Sequence, residues 1–117
     1  MSTSELEKII NKAFDNKQNI NEKSDNEILK AINQTIELTD KGELRVAEKK
    51  NGKWIVNQWV KKAILLSFRT KPMTMSKGPY TTWYDKVPGK SVAWSESDWK
   101  KAGYRHVPNG VVRKGSF

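Results

Sequence analysis

The residues of this 117-residue sequence that can do chemistry are mostly cations and aromatic rings. There is no Cys, which excludes a thiolate nucleophile, a disulfide and a Cys-ligated metal in this chain, and His106 is the single imidazole. No glycine-rich phosphate loop or nucleophile-elbow pattern occurs. Asp15, Asp25 and Glu27 have the placement of helix-surface and cap residues. We therefore expect no catalytic residue and no metal site in this chain, and we expect His106 to be structural or merely exposed.

The charge is divided unevenly along the sequence. Residues 1–43 carry six Lys and nine acids, a net −3, whereas residues 44–117 carry 16 Lys and Arg and four acids, a net +12. A field of that sign attracts phosphates, carboxylated metabolites, nucleic acid or an acidic protein face, and composition does not choose among them.

Neither a membrane span nor a signal peptide is predicted. The longest uninterrupted apolar run is Ala63 to Leu66, whereas a membrane span needs about 20 such residues. The first residues lack the basic start and apolar segment of a signal peptide. We expect a cytoplasmic protein with no membrane partner.

Five tryptophans lie among the cations of the basic part. Such rings can form a stacking surface for single-stranded nucleic acid, or they can fill the core of a small domain. Their positions beside a predicted hairpin and on predicted helices favour the core. The five are Trp54, Trp59, Trp83, Trp94 and Trp99.

The elements that position these residues predict one domain of the α+β class, and the first third predicts a helical hairpin. Ser2 and Ser24 are each followed three residues later by Glu, which is capping-box spacing, and Gly42 would end the second helix. Apolar residues at helical spacing predict the two buried faces. These are Leu6, Ile9, Ile10, Ala13 and Phe14, then Ile28, Ala31, Ile32, Thr35 and Ile36.

A two-stranded β-hairpin is predicted over residues 44–56, because Asn-Gly at 51–52 separates two alternating runs. A helix over 58–69 should follow and bury Ala63, Ile64 and Phe68. Its opposite side should carry the cations Lys61 and Lys62.

Beyond residue 70, frequent Gly and Pro predict loops and short extended pieces. Ser95 can cap a short helix that runs to Ala102 and ends at Gly103. A strand is predicted over residues 104–107.

Three runs of sequence resemble a known family. They are ELRVAEKKNGKWIVNQWVKKAILLSFR at 43–69, WYDKVPGK at 83–90 and GYRHVP at 103–108. Together they resemble the tetrahydrodipicolinate N-succinyltransferases, and the likeness extends from EKIINKAFDN at 7–16 to the final VRKGSF.

The resemblance implies a bacterial acyltransferase that moves succinyl from succinyl-CoA to the amine of ring-opened tetrahydrodipicolinate, in the diaminopimelate route to lysine. Succinyl-CoA would be a co-substrate, and no tightly bound cofactor is implied. Family members are homotrimers with an N-terminal α+β domain and a left-handed parallel β-helix of hexapeptide repeats. Their active sites lie between subunits.

No hexapeptide repeats occur in this sequence, so the β-helix is absent from it. We expect residues 1–108 to form the N-terminal domain and residues 109–117 to be a connector toward the β-helix. The connector should be poorly ordered or held by a neighbour, with Val111, Val112 and Phe117 exposed. The general base would lie in the β-helix, so the chain alone should be inactive.

Gly103-Tyr104-Arg105 matches the Gly-aromatic-Arg motif of the family. The resemblance implies that Arg105 contacts a carboxylate of the dicarboxylate substrate, with Tyr104 beside it in a weaker role. A guanidinium suits that task because it offers two parallel N–H donors. From residue type alone, the alternative is a structural ion pair with Asp98. The alternative function is a free-standing basic module that binds nucleic acid through its Trp rings.

Overall fold

The computed structural model describes residues 1–117. The chain is α+β, as predicted, with four α-helices and two separate two-stranded sheets. None of its helices combines the length and the apolar character needed to cross a membrane. In chain order the elements are α1 (Thr3–Asp15), a 3-10 turn (Lys17–Asn19), α2 (Asn26–Asp40), β1 (Ala47–Lys50), β2 (Lys53–Val56), α3 (Gln58–Ser67), β3 (Thr74–Lys77), β4 (Thr82–Asp85) and α4 (Glu96–Ala102).

The core lies where α1, α2 and α3 pack against one another. The predicted faces of α1 and α2 are confirmed, with Ile9, Phe14 and Ile28 half-buried at their margins. Ile20, from the turn between the two helices, joins them. The core residues are Leu6, Ile10, Ala13, Ile20, Ala31, Ile32, Trp59, Val60, Ala63 and Leu66.

The two predicted capping boxes of the helical hairpin have different outcomes. At α1, Glu5 N–H donates to the Ser2 hydroxyl at 3.2 Å, and Ser2 N–H donates to the Glu5 carboxylate at 2.7 Å. At α2 the prediction is wrong, because the Ser24 hydroxyl accepts from Asn21 N–H at 2.9 Å within the preceding turn. Asp25 occupies the cap position without a side-chain hydrogen bond.

The β1–β2 hairpin turns at the predicted residues. Asn51 and Gly52 both have positive φ, 49° and 76°, as a two-residue turn of the I′ type requires. The ladder runs only from Lys50↔Lys53 to Ala47↔Val56. It stops short of residue 44 because the chain enters α3 directly after Asn57, whose backbone N–H donates to the Val46 carbonyl at 2.7 Å.

The buried face of helix α3 agrees only in part with the predicted one. Ala63 is buried, but Ile64 and Phe68 are only half-buried, and Trp59 and Leu66 take their place in the core. The reason is that α3 packs against both α1 and α2, so its buried face is centred one position away from the expected stripe.

The cation Lys62 also departs from its predicted side of α3. Its ammonium donates to the Asn11 side-chain oxygen at 2.8 Å and lies 5.4 Å from the centre of the Phe14 ring. Lys62 therefore faces α1, whereas Lys61 is exposed as predicted.

Strands β3 and β4 form a second hairpin within the part of the chain where loops and short extended pieces, but no hairpin, are predicted. They pair antiparallel, with Met75 opposite Tyr84 and Ser76 opposite Trp83, and their residues are exposed except for the half-buried Asp85. The Trp83 ring occupies the space where a side chain at Gly78 would begin. The hairpin lacks the apolar alternation that marks a half-buried strand, so no periodic pattern predicts it.

The prediction of a Trp-filled core holds for Trp59 alone. Trp54 is 71% exposed and Trp83 is 42% exposed, whereas Trp94 and Trp99 are half-buried. The last two lie on or beside α4, away from the helical core.

Candidate substrate-binding site

Helix α4 fixes the chain immediately before the predicted substrate-binding residues. Its predicted cap is confirmed: Ser95 N–H donates to the Asp98 carboxylate at 2.8 Å, and Asp98 N–H returns a bond to the Ser95 hydroxyl at 3.4 Å. The helix ends as predicted at Gly103, which has φ +72° and donates its N–H to the Trp99 carbonyl. The left-handed conformation is one that glycine adopts without a steric penalty. The chain therefore leaves α4 in a defined direction.

Residues 104–107 are not the predicted strand, because no other strand lies beside them to pair with. Ring packing holds this segment instead. The centroid of the Trp99 ring lies 5.4 Å from that of Tyr104 and 5.6 Å from that of His106. Trp94 completes the group, 4.9 Å from Trp99 and 6.2 Å from Tyr104. We call Trp94, Trp99, Tyr104 and His106 the aromatic cluster.

The rings of the cluster meet at angles of 66–72° for the three Trp and Tyr pairs. Such edge-to-face contacts place the positive edge of one ring against the negative face of another, and each contributes about 0.5–1.5 kcal/mol beyond area burial. The cluster therefore orders a segment that has no strand partner.

His106 has the structural role expected of it. Its Nε2 lies 2.8 Å from the Gly110 carbonyl oxygen, and Gly110 N–H donates to the Val107 carbonyl at 2.9 Å. A Cβ at position 110 would lie 2.8 Å from the His106 ring. The close approach of ring and backbone therefore depends on glycine at this position.

Arg105 lies between two members of the cluster and is exposed. Its side chain takes part in none of the hydrogen bonds or ion pairs of the structure. The alternative pairing with Asp98 is wrong, because that carboxylate accepts the Ser95 N–H and hydroxyl at 2.8 and 2.9 Å. Those bonds hold the pKa of Asp98 below its usual value. The Arg105 guanidinium is thus free to bind an anion.

The last residues fold back onto the domain, so the expectation of a poorly ordered segment is wrong for residues 113–117. Gly115 N–H donates to an Asp40 carboxylate oxygen at 2.7 Å. The Lys90 ammonium contacts the same oxygen at 3.0 Å and the Ser116 carbonyl at 2.7 Å. The Phe117 ring lies over the Arg45 guanidinium, 4.7 Å away.

The apolar residues of this last segment are exposed to different degrees. Val111 and Phe117 are 76% and 74% exposed, in line with the expectation, whereas Val112 is half-buried. The division of the chain between residues 108 and 109 stays a prediction.

Three carboxylates anchor the folded-back segment. Burial acts to raise the pKa of Asp40, but hydrogen bonds from Gly115 and Lys90 outweigh it and hold that pKa below its usual value. The pKa of Glu37 is lowered by its bond with Lys114, and that of Asp85 by its bond with Arg113. Lys90, Arg113 and Lys114 are therefore each paired with an acid, whereas Arg105 is not.

A cleft of about 200 Å³ lies between α3 and the folded-back segment. Phe68 and Ile64 form part of its wall, which accounts for their partial burial. Two of its three cations, Arg113 and Lys114, are paired with acids. Its lining comprises Ile36, Ile64, Ser67, Phe68, Lys71, Val87, Pro88, Arg113, Lys114, Gly115 and Ser116.

The substrate-binding roles of Arg105 and Tyr104 stay predictions, and the sequence interpretation did not predict the contacts that hold these residues. Trp99 was assigned to a core, and His106 was not connected with it. The available signal was the run of rings at 99, 104 and 106 on both sides of a glycine helix end. No cluster of three or more His, Cys, Asp or Glu side chains is arranged to hold a metal ion.

The fold and the site define a small α+β domain that presents an unpaired arginine beside a fixed aromatic cluster. A family model described as the N-terminal part of tetrahydrodipicolinate N-succinyltransferase matches residues 5–70, more than half of the chain. The chain belongs to that family.

Individual relatives match nearly the whole chain. A 2,3,4,5-tetrahydropyridine-2,6-dicarboxylate N-succinyltransferase of Pelagibacter ubique is 62% identical over 97% of the chain and 42% of its own length. Enzymes of the same name from Bartonella tribocorum and Brucella ovis are 50% and 49% identical over 97% and 96% of the chain. The chain spans about two fifths of the length of these relatives, 40–42%.

Proposed function

We propose that this chain forms the N-terminal domain of an acyltransferase that moves succinyl from succinyl-CoA to the amine of ring-opened tetrahydrodipicolinate. The observation that carries the proposal is the 62% identity to an enzyme of that name over 97% of the chain. The reaction would belong to the diaminopimelate route to lysine, in the cytoplasm.

The chemistry is an acyl transfer in which the substrate amine attacks the thioester carbonyl. A C–N bond forms, the C–S bond breaks, and the proton lost by the amine balances the one gained by the CoA thiol. A general base must take the proton from the amine. We propose that it is a carboxylate of the family's β-helix, outside these residues, and that this chain contributes to binding.

In this proposal Arg105 holds one carboxylate of the dicarboxylate substrate, and Tyr104 lies beside that contact. The support is that the Arg105 guanidinium is exposed and unpaired, whereas Lys90, Arg113 and Lys114 are neutralised by acids. A guanidinium stays charged at any working pH and can hold a carboxylate through two N–H donors.

The charge of the chain suits both substrates, since a dicarboxylate and an acyl-CoA are anions. Residues 44–117 carry a net +12, and a field of that sign raises the encounter rate with anions in a salt-dependent way. We propose a homotrimer with active sites between subunits, no tightly bound cofactor, and no nucleic-acid or membrane partner. Nothing in the comparisons supports the nucleic-acid module.

The test is the steady-state kinetics of a full-length enzyme that carries this domain. We expect Arg105→Ala to raise the KM for the dicarboxylate roughly 30-fold or more, because losing one partner of a desolvated charge pair costs about 2–5 kcal/mol. Arg105→Lys keeps the charge but loses the bidentate geometry, so its effect should be smaller. The KM for succinyl-CoA should barely change in either variant.

Arg69→Ala is the matched control, because Arg69 is also exposed and its side chain is also unpaired. It should leave both KM values unchanged. Unchanged kinetics for Arg105→Ala and Arg105→Lys would remove Arg105 from the substrate site. The 117-residue chain alone should show no turnover with both substrates, and measurable turnover would contradict the assignment of the base to the rest of the enzyme.

A further inference from the structure

We propose that Trp99 is a positioning residue for Arg105, acting through the two residues that flank it. The inference rests on the proposed function, because it concerns how the carboxylate-binding arginine is held. The contacts of Trp99 with Tyr104 and His106 come from the structure. The motif Gly103-Tyr104-Arg105 does not itself predict them.

Trp99 packs against both sequence neighbours of Arg105. Its ring centroid is 5.4 Å from that of Tyr104 and 5.6 Å from that of His106. Arg105 lies between these two residues, and its side chain is exposed and belongs to none of the ring pairs.

Trp99 is itself held in place by its helix and by a neighbouring ring. It lies in α4, whose start is closed by reciprocal Ser95 and Asp98 bonds and whose end is set by Gly103. The Trp94 ring packs against it at 4.9 Å. The capped helix and the Trp94 ring thus hold the Trp99 ring in place. The segment that follows α4 can pack against this fixed ring.

The chain on the C-terminal side of Arg105 is held in place as well. His106 Nε2 lies 2.8 Å from the Gly110 carbonyl oxygen, so the chain beyond Arg105 is tied into a short loop. Arg105 therefore lies between two anchored residues although no ladder bonds hold its backbone. Such preorganisation reduces the ordering cost of binding and keeps the guanidinium near its productive position.

A purely structural role for Trp99 makes a different prediction. If Trp99 only stabilised the fold, its loss would lower stability without a selective effect on the dicarboxylate. If it positions Arg105, its loss should act on one substrate and only while Arg105 is present.

The experiment compares Trp99→Leu, Trp99→Phe and the control Trp54→Leu in a full-length enzyme that carries this domain. Trp54 is 71% exposed and belongs to no ring pair. We expect Trp99→Leu to raise the KM for the dicarboxylate about tenfold, since a small displacement of a binding group is costly. The kcat and the KM for succinyl-CoA should stay within about twofold of the parent. Trp99→Phe should restore most of the loss, and Trp54→Leu should have no effect.

A double variant separates this inference from the proposed function. In an Arg105→Ala background, Trp99→Leu should raise the KM no further, because the two residues act through one contact. Additive effects would overturn the positioning role while leaving Arg105 in the site. An unchanged KM for Arg105→Ala would overturn the proposed site instead.

A second measurement uses the 117-residue chain and needs no activity. The amide order parameter of Arg105, measured by NMR relaxation, should be about 0.85 in the parent and fall below about 0.6 in Trp99→Leu. His106→Leu, which removes one of the two contacts, should give an intermediate value. An Arg105 amide as rigid in Trp99→Leu as in the parent would overturn the proposal, whatever the kinetics show.

Discussion

The first 67 residues and the last 50 are held together by different forces. All of the buried residues, 14 in number, lie between Leu6 and Ser67. Beyond Ser67 the chain is ordered by ring contacts, ion pairs and hydrogen bonds, with Asp40, Asp85 and the aromatic cluster as its main anchors.

Because different forces hold them, the two regions should respond to different perturbations. Apolar burial is proportional to the area removed from water and depends little on pH or salt. Exposed ion pairs are weak and screened by salt. The second region should therefore open locally at a free energy well below that of global unfolding.

The largest expected effect is in the helical core. Trp59→Ala should lower the free energy of unfolding by about 3–5 kcal/mol, because it removes a large buried side chain. Trp54→Ala, at a ring that is 71% exposed, should cost less than about 1 kcal/mol. Denaturant melts of the two variants test this, and equal losses would break the contrast between buried and exposed tryptophans.

The next effect is selective release of the last residues by acid. The pKa values of Asp40, Glu37 and Asp85 are lowered in the folded chain, so their stabilisation is present above the unfolded pKa and is lost as pH falls through the folded one. The ordinary values are 3.8 for Asp and 4.5 for Glu.

We therefore expect the Gly115 amide to lose its protection below pH 3.8 while core amides in α1 and α3 stay protected. Hydrogen exchange at a series of pH values measures both. Loss of protection at the same pH in both regions would mean that the chain behaves as one cooperative unit.

A smaller effect is expected from Asp40→Asn. This variant keeps an acceptor for Gly115 N–H but removes the charge that attracts Lys90, at a carboxylate that is 18% exposed. The local opening free energy of residues 113–117 should fall by about 1–2 kcal/mol. The opening free energy from exchange at Gly115 is the readout, and Glu96→Gln, at an exposed pair with Lys100, is the control that should leave it unchanged.

The smallest expected effect concerns the capping boxes of Ser2 in α1 and Ser95 in α4, which have the same hydrogen-bond pattern. Replacing either Ser by Ala should cost about 0.5–2 kcal/mol. For Ser2 the loss should appear in the global melt, whereas for Ser95 it should appear only as faster exchange within α4. A global loss for Ser95→Ala would show that α4 is coupled to the core.

The same contrast explains what the sequence could predict. The faces of α1 and α2 follow from helical spacing of apolar residues, and the turn at Asn51 follows from the backbone conformation that Asn-Gly adopts. The end of α4 at Gly103 follows from local chemistry. These features depend on residues that are close together in the sequence, so residue type and spacing predict them.

Several of the features that the sequence did not predict depend on contacts between distant residues. The Asp40 carboxylate meets Gly115 across 75 positions, and no local pattern marks either partner. The buried face of α3 was displaced because two helices pack on it at once. At the site, the family motif singles out Arg105 as a candidate, but only the folded chain brings Trp99 against His106.

The aromatic cluster also gives the chain an optical signature. Two indoles with centroids 4.9 Å apart and planes at 72° couple their electronic transitions, as Trp94 and Trp99 do. We expect such a pair to produce a circular dichroism couplet of opposite signs that an isolated indole lacks. We expect the buried Trp59, which is 6% exposed, to emit at the blue edge of the fluorescence and to be shielded from soluble quenchers. Two spectra of one unlabelled sample can thus follow the site and the core separately.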